Sequence, residues 1–330
     1  MHRTTFAIPC RDGAAFLPDL LDSLAAQTCG AFDLLLVDDA STDGSADVAR
    51  RRFGDRIRIA RNPEPLGLIP NFNRCAELVE TEFFCIAHAD DRYAPDYLER
   101  MVAALDARPE AALAHCLARS LDDAGRVWDA PAERFKRRFW RRLPARDPAT
   151  QFRLLQAGNH VVCPSALFRT QAFRSVGAFR GDLRYAADWE LWLRMSLRCL
   201  PFVAVPEPLF AYRRHAGSAT TEAARDLLRY REKLQVLRWA VRAGTEAGFC
   251  AAGAPLTALR NTVLQDVVEA LAARRGDEAA NKLAFLRDEA PEVWRMGSVR
   301  LVRLLAAAGG PGRAAMRLAR SLAVRVAPLG

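Results

Sequence analysis

The sequence predicts an α/β fold in which a mostly parallel β-sheet carries helices on both faces, followed by a helical C-terminal extension. Three observations support this prediction. Strand-like and helix-like segments alternate through the first third of the chain, which is typical of parallel strands joined by crossover helices. The region beyond His215 is rich in Ala, Leu and Arg with helical periodicity. The 330 residues are 51% hydrophobic and 26% charged, which excludes disordered, collagen-like and coiled-coil proteins.

Short apolar runs predict the strands of the first third, and apolar residues at helical spacing predict the helices between them. The run 32–37 is continuous enough to be buried on both faces of a sheet. Phe16, Leu20 and Leu24 recur at helical spacing, and the turn residues of 41–45 can cap the next helix. The predicted strands are 5–9, 32–37, 57–59 and 83–87, and the predicted helices are 15–27, 46–53 and 71–79.

The later elements follow the same reasoning. Two apolar runs around a polar Asp-Asp-Ala-Gly turn predict a hairpin over 111–127. A basic helix with one aromatic face is predicted over 132–142, and a helix that opens with an acidic residue over 183–197. A strand-like run occupies 209–214, and we place a domain boundary near 216–225 because the helical composition begins there.

The composition also predicts where in the cell the protein is located. No stretch approaches the roughly 20 apolar residues of a membrane-spanning helix, and the N-terminal residues lack the apolar core of a signal peptide. The eight cysteines are scattered, without a C-x-x-C pair or zinc-like spacing, and indicate buried thiols in a reducing compartment. We therefore expect a cytoplasmic protein.

The positive charge is unevenly distributed along the chain. The formal net charge is +9, and seven arginines but no acid follow Glu292. This tail and the basic segment 132–142 could face an anionic surface, or they could be solvated helix faces. Met316, Leu318 and Leu322 fall at helical spacing in the tail, as expected equally of an interfacial helix and of a helix packed on the protein.

Two predicted strands end in paired carboxylates, at Asp38–Asp39 and at Asp90–Asp91. The carboxyl ends of parallel strands form the crevice in which such sheets bind ligands. The first pair suits hydrogen bonds to a nucleoside, or else it caps the following helix. The second pair suits Mg²⁺ or Mn²⁺, which are held by one or two carboxylates together with substrate phosphates, or else it caps the helix that begins near Pro95.

A series of short motifs runs through the first two thirds of the chain. They are F-A-I-P-C-R-D at 6–12, L-A-A-Q-T at 24–28, L-V-D-D-A-S-T-D-G-S at 36–45, Asn62 with Gly67, H-A-D-D at 88–91, C-P-S at 163–165, V-G-A-F at 176–179, A-D-W-E-L-W at 187–192 and Y-R-R-H at 212–215. With these motifs in this order, residues 4–222 resemble the inverting family 2 glycosyltransferases, whose GT-A fold is Rossmann-like.

The resemblance implies a nucleotide pocket at the first strand ends. Pro9 and Asp12 are expected to line it, Asp39 to bind the base of a nucleoside-diphosphate sugar, and Asp38 to support the same strand end. Asn71 is expected to point toward this pocket, although an ordinary polar group on a solvated helix explains it nearly as well.

The resemblance also implies a divalent metal, Mn²⁺ or Mg²⁺. Asp90 matches the last acid of the D-x-D motif, which holds the ion that bridges the two phosphates, while His88 stands where the first acid often is. Asp91 is then expected behind the ligands or on the acceptor side. His215 is a second candidate metal ligand, because related enzymes often bring a late histidine to the metal or the diphosphate; an exposed loop histidine is the alternative.

Asp188 matches the catalytic base of the family. By this resemblance its carboxylate removes the proton of an acceptor hydroxyl, which attacks the anomeric carbon and inverts its configuration. Without the resemblance, a helix N-cap would be the simpler interpretation of an acid at this position.

These expectations define one enzyme with a basic extension. We expect a GT-A domain over 1–220, with a nucleotide-sugar half about 1–110 and an acceptor half about 111–220, and a helical extension over 221–330. The enzyme is expected to transfer a monosaccharide from a nucleoside-diphosphate sugar to a saccharide or lipid-linked saccharide, in cell-surface polysaccharide or glycolipid synthesis. Anionic lipid at the inner face of the cell membrane is the expected partner of the basic segments, which would make the protein cytoplasmic or peripheral; nucleic acid is not expected.

Two alternatives remain. A non-catalytic nucleotide-sugar-binding subunit would keep the pocket without turnover, and His88 in place of an acid leaves room for it. A sugar nucleotidyltransferase is less favoured, because 9–13 is too poor in glycine and basic residues for its phosphate-binding loop.

Overall fold

The computed structural model describes residues 2–122, 124–129, 133, 137, 147–215, 227–251, 254 and 256–307. Its strands are β1 (Thr4–Cys10), β2 (Asp33–Asp38), β3 (Ile57–Arg61), β4 (Phe83–Ile86), β5 (Arg92–Tyr93), β6 (Leu113–Leu121), β7 (Val127–Trp128), β8 (Ala166–Arg169) and β9 (Phe202–Arg213). Its α-helices are α1 (Leu17–Ala25), α2 (Ser45–Phe53), α3 (Leu68–Leu78), α4 (Tyr97–Asp106), α5 (Pro148–Ala157), α6 (Thr170–Val176), α7 (Ala187–Leu197), α8 (Leu228–Glu246), α9 (Thr257–Ala272), α10 (Gly276–Asp288), α11 (Pro291–Trp294) and α12 (Gly297–Ala307).

The basic helix predicted over 132–142 lies almost entirely outside the described residues, and the apolar positions of the tail from Met316 onward lie wholly outside them. Helix α3 begins three residues earlier than predicted. Gly67 precedes it with a φ of +94°, a conformation that favours glycine, and Pro70 falls in the first helical turn, where a missing N–H costs no hydrogen bond.

The first half of the sheet has the strand order β3-β2-β1-β4, and all three pairings are parallel. Strand β1 lies in the middle and every one of its residues is buried. The chain runs outward from β1 to β2 and β3 and then crosses back to β4, so the strand order reverses between β1 and β4. In open α/β sheets, ligands bind beyond the carboxyl ends of the strands at this switch point.

The second half of the sheet is mixed. Strand β8 pairs antiparallel with both β4 and β6, β6 runs parallel to β9, and β5 lies antiparallel to β9. Strands β6 and β7 form the predicted hairpin. The pairing of β5 with β9 places Arg92 opposite Ala211, so the loop that follows β4 lies beside the end of β9.

Aromatic side chains build the core under the parallel strands. The ring of Phe6 on β1 lies 5.2 Å from Phe32, 5.5 Å from Tyr93 and 6.1 Å from Tyr97, measured between centroids. Such pairs add roughly 0.5–1.5 kcal/mol each beyond their buried area. The Tyr93 hydroxyl donates to the carbonyl oxygen of Pro164 at 2.7 Å, which fixes the segment after α5 to this core.

The chain divides into two compact units, one formed by 1–222 with 243–250 and the other by 223–242 with 251–330. The described residues of the second unit are mostly helical. Val263 and Val267 on α9 and Leu286 on α10 are fully buried. Asp266 on α9 accepts hydrogen bonds from Tyr230 and Arg229 on α8, both at 2.5 Å.

No helix in the described part of the chain is long and apolar enough to cross a bilayer. Five of the eight cysteines are buried as expected, whereas Cys199 is exposed in the turn after α7.

Candidate active site

Asp38 ends β2 and is fully buried. Its carboxylate accepts a hydrogen bond from the backbone N–H of Ser41 at 3.0 Å and pairs with the guanidinium group of Arg61, at the end of β3. Arg61 also donates to the carbonyl oxygen of Ser41 at 2.8 Å. Asp38 therefore joins two strand ends to the turn that follows β2.

Asp39 is buried one residue further along, and its carboxylate holds the loop between β3 and α3. One oxygen accepts from the backbone N–H of Leu66 at 2.7 Å and from the side-chain amide of Asn62 at 2.8 Å. The other accepts from the N–H of Gly67 at 2.9 Å. Three protein donors thus fix this carboxylate beside the crevice.

Asn71 lies on α3 and is buried. Its side-chain amide donates to the carbonyl oxygen of Val37 at 3.1 Å, and its oxygen accepts from Asn62 at 3.0 Å. The sequence suggested that this group points toward a ligand, but in the structure one end of the amide fastens α3 to β2 and the other fastens it to the segment after β3.

Pro9 and Asp12 lie on either side of the end of β1. Pro9 is buried opposite Val37 of β2. Asp12 has a φ of +48°, and its side chain is about half exposed. One oxygen of its carboxylate accepts from the N–H of Thr42 at 2.8 Å, which ties the β1–α1 loop to the β2–α2 loop across the mouth of the crevice.

His88, Asp90 and Asp91 form a cluster in the loop after β4. Each offers one ligand atom, and these three atoms lie within 4.8 Å of one another. Asp91 is fully buried, whereas the side chains of His88 and Asp90 are about one quarter exposed. The cluster therefore has a buried floor and an open side, beyond the strand end at the switch point.

The cluster contains buried polar atoms that the described residues do not satisfy. Oδ2 of Asp91 and Nε2 of His88 have no hydrogen-bond partner there. Burial, reinforced by the charge of Asp90, raises the pKa of the Asp91 carboxyl well above its usual value. Burial lowers the pKa of His88, against the opposing effect of Asp90. A divalent cation would satisfy both atoms and offset the repulsion between the two carboxylates, so the donor set fits Mn²⁺ or Mg²⁺.

The end of β9 supports this cluster. Arg213 is buried, and its backbone N–H donates to Oδ1 of Asp91 at 2.9 Å. Its guanidinium group donates to the carbonyl oxygen of Asp90 at 2.8 Å and to the carboxylate of Asp19 at 2.6 Å. Two residues later, Nε2 of His215 lies 3.0 Å from Oδ2 of Asp90. The structure thus brings together the two residues predicted as metal ligands.

Asp188 is the second residue of α7 and is half-buried. Its Oδ1 accepts from the backbone N–H of Trp189 at 2.6 Å, and its Oδ2 accepts from the side-chain amide of Asn159 at 3.1 Å.

The thiol of Cys163 is buried in the 3₁₀ turn Cys163–Ser165. Burial, followed by the negative charges of Asp188, Cys85 and Asp91, raises the pKa of this thiol well above its usual value. Asp188 and Asp91 therefore act electrostatically on the same buried thiol.

Sequence reasoning missed three residues that complete these groups, namely Asn62, Asn159 and Arg213. Asn62 and the Arg213 run were recognised only as parts of motifs, and Asn159 carried no signal. Each makes its contact with a residue distant in sequence, 23 positions away for Asn62 and 122 for Arg213, so local pattern could not reveal the pairing.

The strand order β3-β2-β1-β4, with acidic side chains at the switch point, defines an open α/β sheet whose crevice suits a ligand. Residues 5–177 match the family described as Glycosyl transferase family 2, and since this is more than half of the chain, the protein belongs to that family.

Individual relatives agree with this assignment. A PGL/p-HBAD biosynthesis glycosyltransferase of Mycobacterium tuberculosis is 30% identical over 195 residues, which cover 57% of this chain and 67% of that protein. The mannosyltransferase PcManGT from Pyrobaculum calidifontis, solved in complex with GDP-Man and Mn²⁺, matches 98% of this chain and 80% of its own with a TM-score of 0.59 and 19% identity. S. aureus TarS 1-349 in complex with UDP-GlcNAc matches 98% of this chain and 92% of its own, with a TM-score of 0.55 and 14% identity. The two structures confirm the predicted GT-A fold.

Proposed function

We propose that the protein transfers a monosaccharide from a nucleoside-diphosphate sugar to an acceptor hydroxyl with inversion at the anomeric carbon. The observation that carries the proposal is the cluster of His88, Asp90 and Asp91, with two buried and unsatisfied ligand atoms at the switch point of the sheet. Mn²⁺ in the PcManGT complex and a nucleotide sugar in both neighbouring structures support it.

The donor would bind over the ends of β1, β2 and β4, within the proposed nucleotide-sugar half at about 1–110. Asp39 keeps lone pairs beyond its three protein contacts and would accept a hydrogen bond from the base. Pro9 and Asp12 would form the wall of this pocket. Asp38 and Asn71 would act through Asp39, because their own polar atoms already hold the strand end and α3.

Asp90, together with His88, Asp91 or His215, would hold a divalent cation. When bound, the cation would neutralise the charge that grows on the departing diphosphate. Arg213 would hold the binding site of this cation in place, because it donates hydrogen bonds to the backbone of Asp90 and to the carboxylate of Asp91.

Asp188 would act on the acceptor, within the proposed acceptor half at about 111–220. Its carboxylate takes the proton of the acceptor hydroxyl as that oxygen forms a bond to the anomeric carbon. The bond from this carbon to the diphosphate oxygen breaks on the opposite face, and the diphosphate leaves with the electron pair. Attack and departure on opposite faces invert the configuration.

The acceptor is proposed to be a saccharide or lipid-linked saccharide in cell-surface polysaccharide or glycolipid synthesis, which the name of the mycobacterial relative supports. Val127 and Trp128 of β7 are more than 40% exposed, and the sequence from Arg126 to 142 is rich in arginine. Exposed aromatic and basic residues together suit the interface of an anionic bilayer. We accordingly propose a cytoplasmic protein that binds the inner membrane surface peripherally.

The donor site is tested by calorimetric titration of a panel of nucleoside diphosphates, with and without Mn²⁺, into wild type and Asp90→Ala. We expect one base to bind tightly only when Mn²⁺ and Asp90 are both present. Metal-independent binding, or equal binding by the variant, would contradict the proposed cluster.

The transfer step is tested with Asp188→Asn. We expect sugar transfer to be lost while nucleotide binding stays within about twofold of wild type, because the base acts on the acceptor. Wild-type turnover by this variant would remove Asp188 from the mechanism. Donor binding without any turnover in the wild type would favour a non-catalytic nucleotide-sugar-binding subunit.

The membrane proposal is tested by sedimentation with anionic liposomes at low salt. We expect deletion of 293–330 to weaken sedimentation, because the deleted segment carries seven arginines and no acid. Unchanged sedimentation would assign that segment a structural role.

A further inference from the structure

Asp188 accepts hydrogen bonds from two different parts of the chain. The backbone N–H of Trp189, in its own helix, donates to Oδ1, while Asn159, in the segment between α5 and the 3₁₀ turn Cys163–Ser165, donates to Oδ2. One donor on each oxygen fixes the rotation of the carboxylate plane. The Asn159 contact comes from outside α7, so it ties the carboxylate to the segment between α5 and the 3₁₀ turn.

The amide of Asn159 has a single chemically reasonable orientation. Its Nδ2 faces the Asp188 carboxylate, and its Oδ1 is buried without a hydrogen-bond partner among the described residues. Turning the amide over would place Oδ1 against a carboxylate oxygen, which repels it. The orientation is therefore determined by Asp188, and a buried acceptor is left unsatisfied to keep it.

The backbone that carries Asn159 is anchored to the helix that carries Asp188. The indole N–H of Trp189 donates to the carbonyl oxygen of Leu155, near the end of α5, at 2.7 Å. Gly158 donates back to the same carbonyl group at 3.1 Å, and His160 and Val161 are buried. Hydrogen bonds and burial thus hold the backbone on both sides of Asn159, next to Asp188.

We propose that Asn159 is a positioning residue for Asp188: its amide N–H aims one carboxylate oxygen at the acceptor site and favours the ionised form that accepts the proton. The inference rests on the proposed role of Asp188 as base. A hydrogen bond donated to a carboxylate stabilises its charged state, so loss of the bond shifts proton uptake to higher pH.

The titratable groups near Asp188 in the described part of the chain include Cys163, Glu190, Arg194 and His160. Cys163 of the 3₁₀ turn faces it, and burial keeps that thiol protonated. Glu190 and Arg194, on α7 itself, form an ion pair at 2.8 Å. His160 follows Asn159, and its Nδ1 lies 3.2 Å from the carbonyl oxygen of Gly158.

The test compares Asn159→Ala with the isosteric Asn159→Asp, with folding checked by circular dichroism. For Asn159→Ala we expect kcat to fall about ten- to hundredfold, with the donor KM and nucleoside-diphosphate affinity within about twofold of wild type. We expect the acidic limb of the pH profile of kcat/KM for the acceptor to shift to higher pH by about one unit. Asn159→Asp keeps the volume but places a second carboxylate against Asp188, so its loss at neutral pH should exceed that of the alanine variant.

Gln151→Ala is the matched control. Gln151 lies on α5, and its amide donates to Ser196 of α7 at 2.8 Å, so it joins the same two helices away from Asp188. We expect this variant to lower Tm without moving the pH profile. An Asn159→Ala variant with wild-type kcat, or with a loss that is equal at every pH, overturns the inference. Asp188→Asn separates the two proposals. If Asp188→Asn is inactive, a negative result with Asn159→Ala rejects only the positioning role of Asn159. If Asp188→Asn is fully active, the proposed role of Asp188 as base is rejected as well.

Discussion

The two acid pairs of the site look alike in the sequence and differ in the structure. Asp38 and Asp39 at the end of β2 are both buried, and each is held by protein donors: the first by Ser41 and Arg61, the second by a side-chain amide and two backbone N–H groups. Asp91, in the loop after β4, is buried just as deeply but has an oxygen that the described residues do not satisfy.

The difference separates acids whose charge the protein itself satisfies from acids that a cation would have to satisfy. The first pair uses its charge to close turns, so removing it should cost stability whether or not a ligand is present. The second pair places like charges close together and leaves atoms unpaired, which costs free energy unless a cation binds. Two identical dipeptides can thus be told apart only by the donors that surround them.

The largest expected effect is a loss of stability when the ion pair of Asp38, in the first acid pair, is broken. Arg61→Met leaves the buried Asp38 carboxylate without its counter-ion, and we expect the free energy of unfolding to fall by about 3 kcal/mol. Urea unfolding of the metal-free protein measures this. Arg58→Met on the same strand is the control, because the Arg58 ion pair is exposed and should contribute less than about 1 kcal/mol. Equal losses for the two variants would contradict the special role of Arg61.

The second pair should respond only to ligand. Asp90→Asn removes the like charge beside Asp91, so we expect the metal-free unfolding free energy to rise slightly, by less than about 0.5 kcal/mol. Mn²⁺ plus the preferred nucleoside diphosphate at 100 times the dissociation constant should add about 2.7 kcal/mol to the wild type and nothing measurable to the variant. Thermal melting with and without both ligands measures this, and equal stabilisation of the two proteins would make Asp90 dispensable for binding.

A smaller loss is expected at Asp39. Asp39→Asn turns one acceptor oxygen into an amide donor that faces either Gly67 or Leu66, so we expect a loss of about 2 kcal/mol in the absence of ligand. Asp33→Asn, an exposed acid at the start of the same strand, serves as control and should stay within about 0.5 kcal/mol. Stability equal to that of the control would show that the loop is held by other contacts.

The smallest effect concerns metal preference. Imidazole suits Mn²⁺ better than Mg²⁺, whereas carboxylates accept both. If His88 is a ligand, His88→Asp should shift the ratio of the Mn²⁺ and Mg²⁺ affinities about threefold toward Mg²⁺, measured by competition calorimetry in the presence of the nucleotide. An unchanged ratio would place His88 outside the coordination shell.

The fold was largely predictable because parallel strands with crossover helices produce a regular alternation in sequence. The four strands of the first third, the three helices between them and the hairpin lie close to where the apolar runs predict them. Strand β8 was not predicted, because four residues between two turns give little periodicity. Only the second half of β9 was recognised, since Pro206 and Pro208 interrupt the apolar run upstream.

The sequence allowed the acidic residues of the candidate site to be predicted, but not the hydrogen-bond partners and burial of each acid. Residue type indicates that Asp39, Asp90 and Asp188 can bind a base, a metal or a proton. Residue type does not indicate which carboxylate oxygen already accepts a hydrogen bond from the protein, because the donors Asn62, Arg213 and Asn159 come from distant segments. The assignment of catalytic and binding roles to these acids stays a prediction.

The contact between Asp91 and Arg213 spans 122 residues of chain, and it has a consequence for synthesis. The loop after β4 is synthesised long before β9, so the backbone donor that holds Asp91 is not yet present when this loop has been made. Strand β8, which covers the edge of β4, also arrives late. We therefore expect that the proposed nucleotide-sugar half, about 1–110, does not fold on its own, and that the proposed cation site is complete only after more than 200 residues have been made.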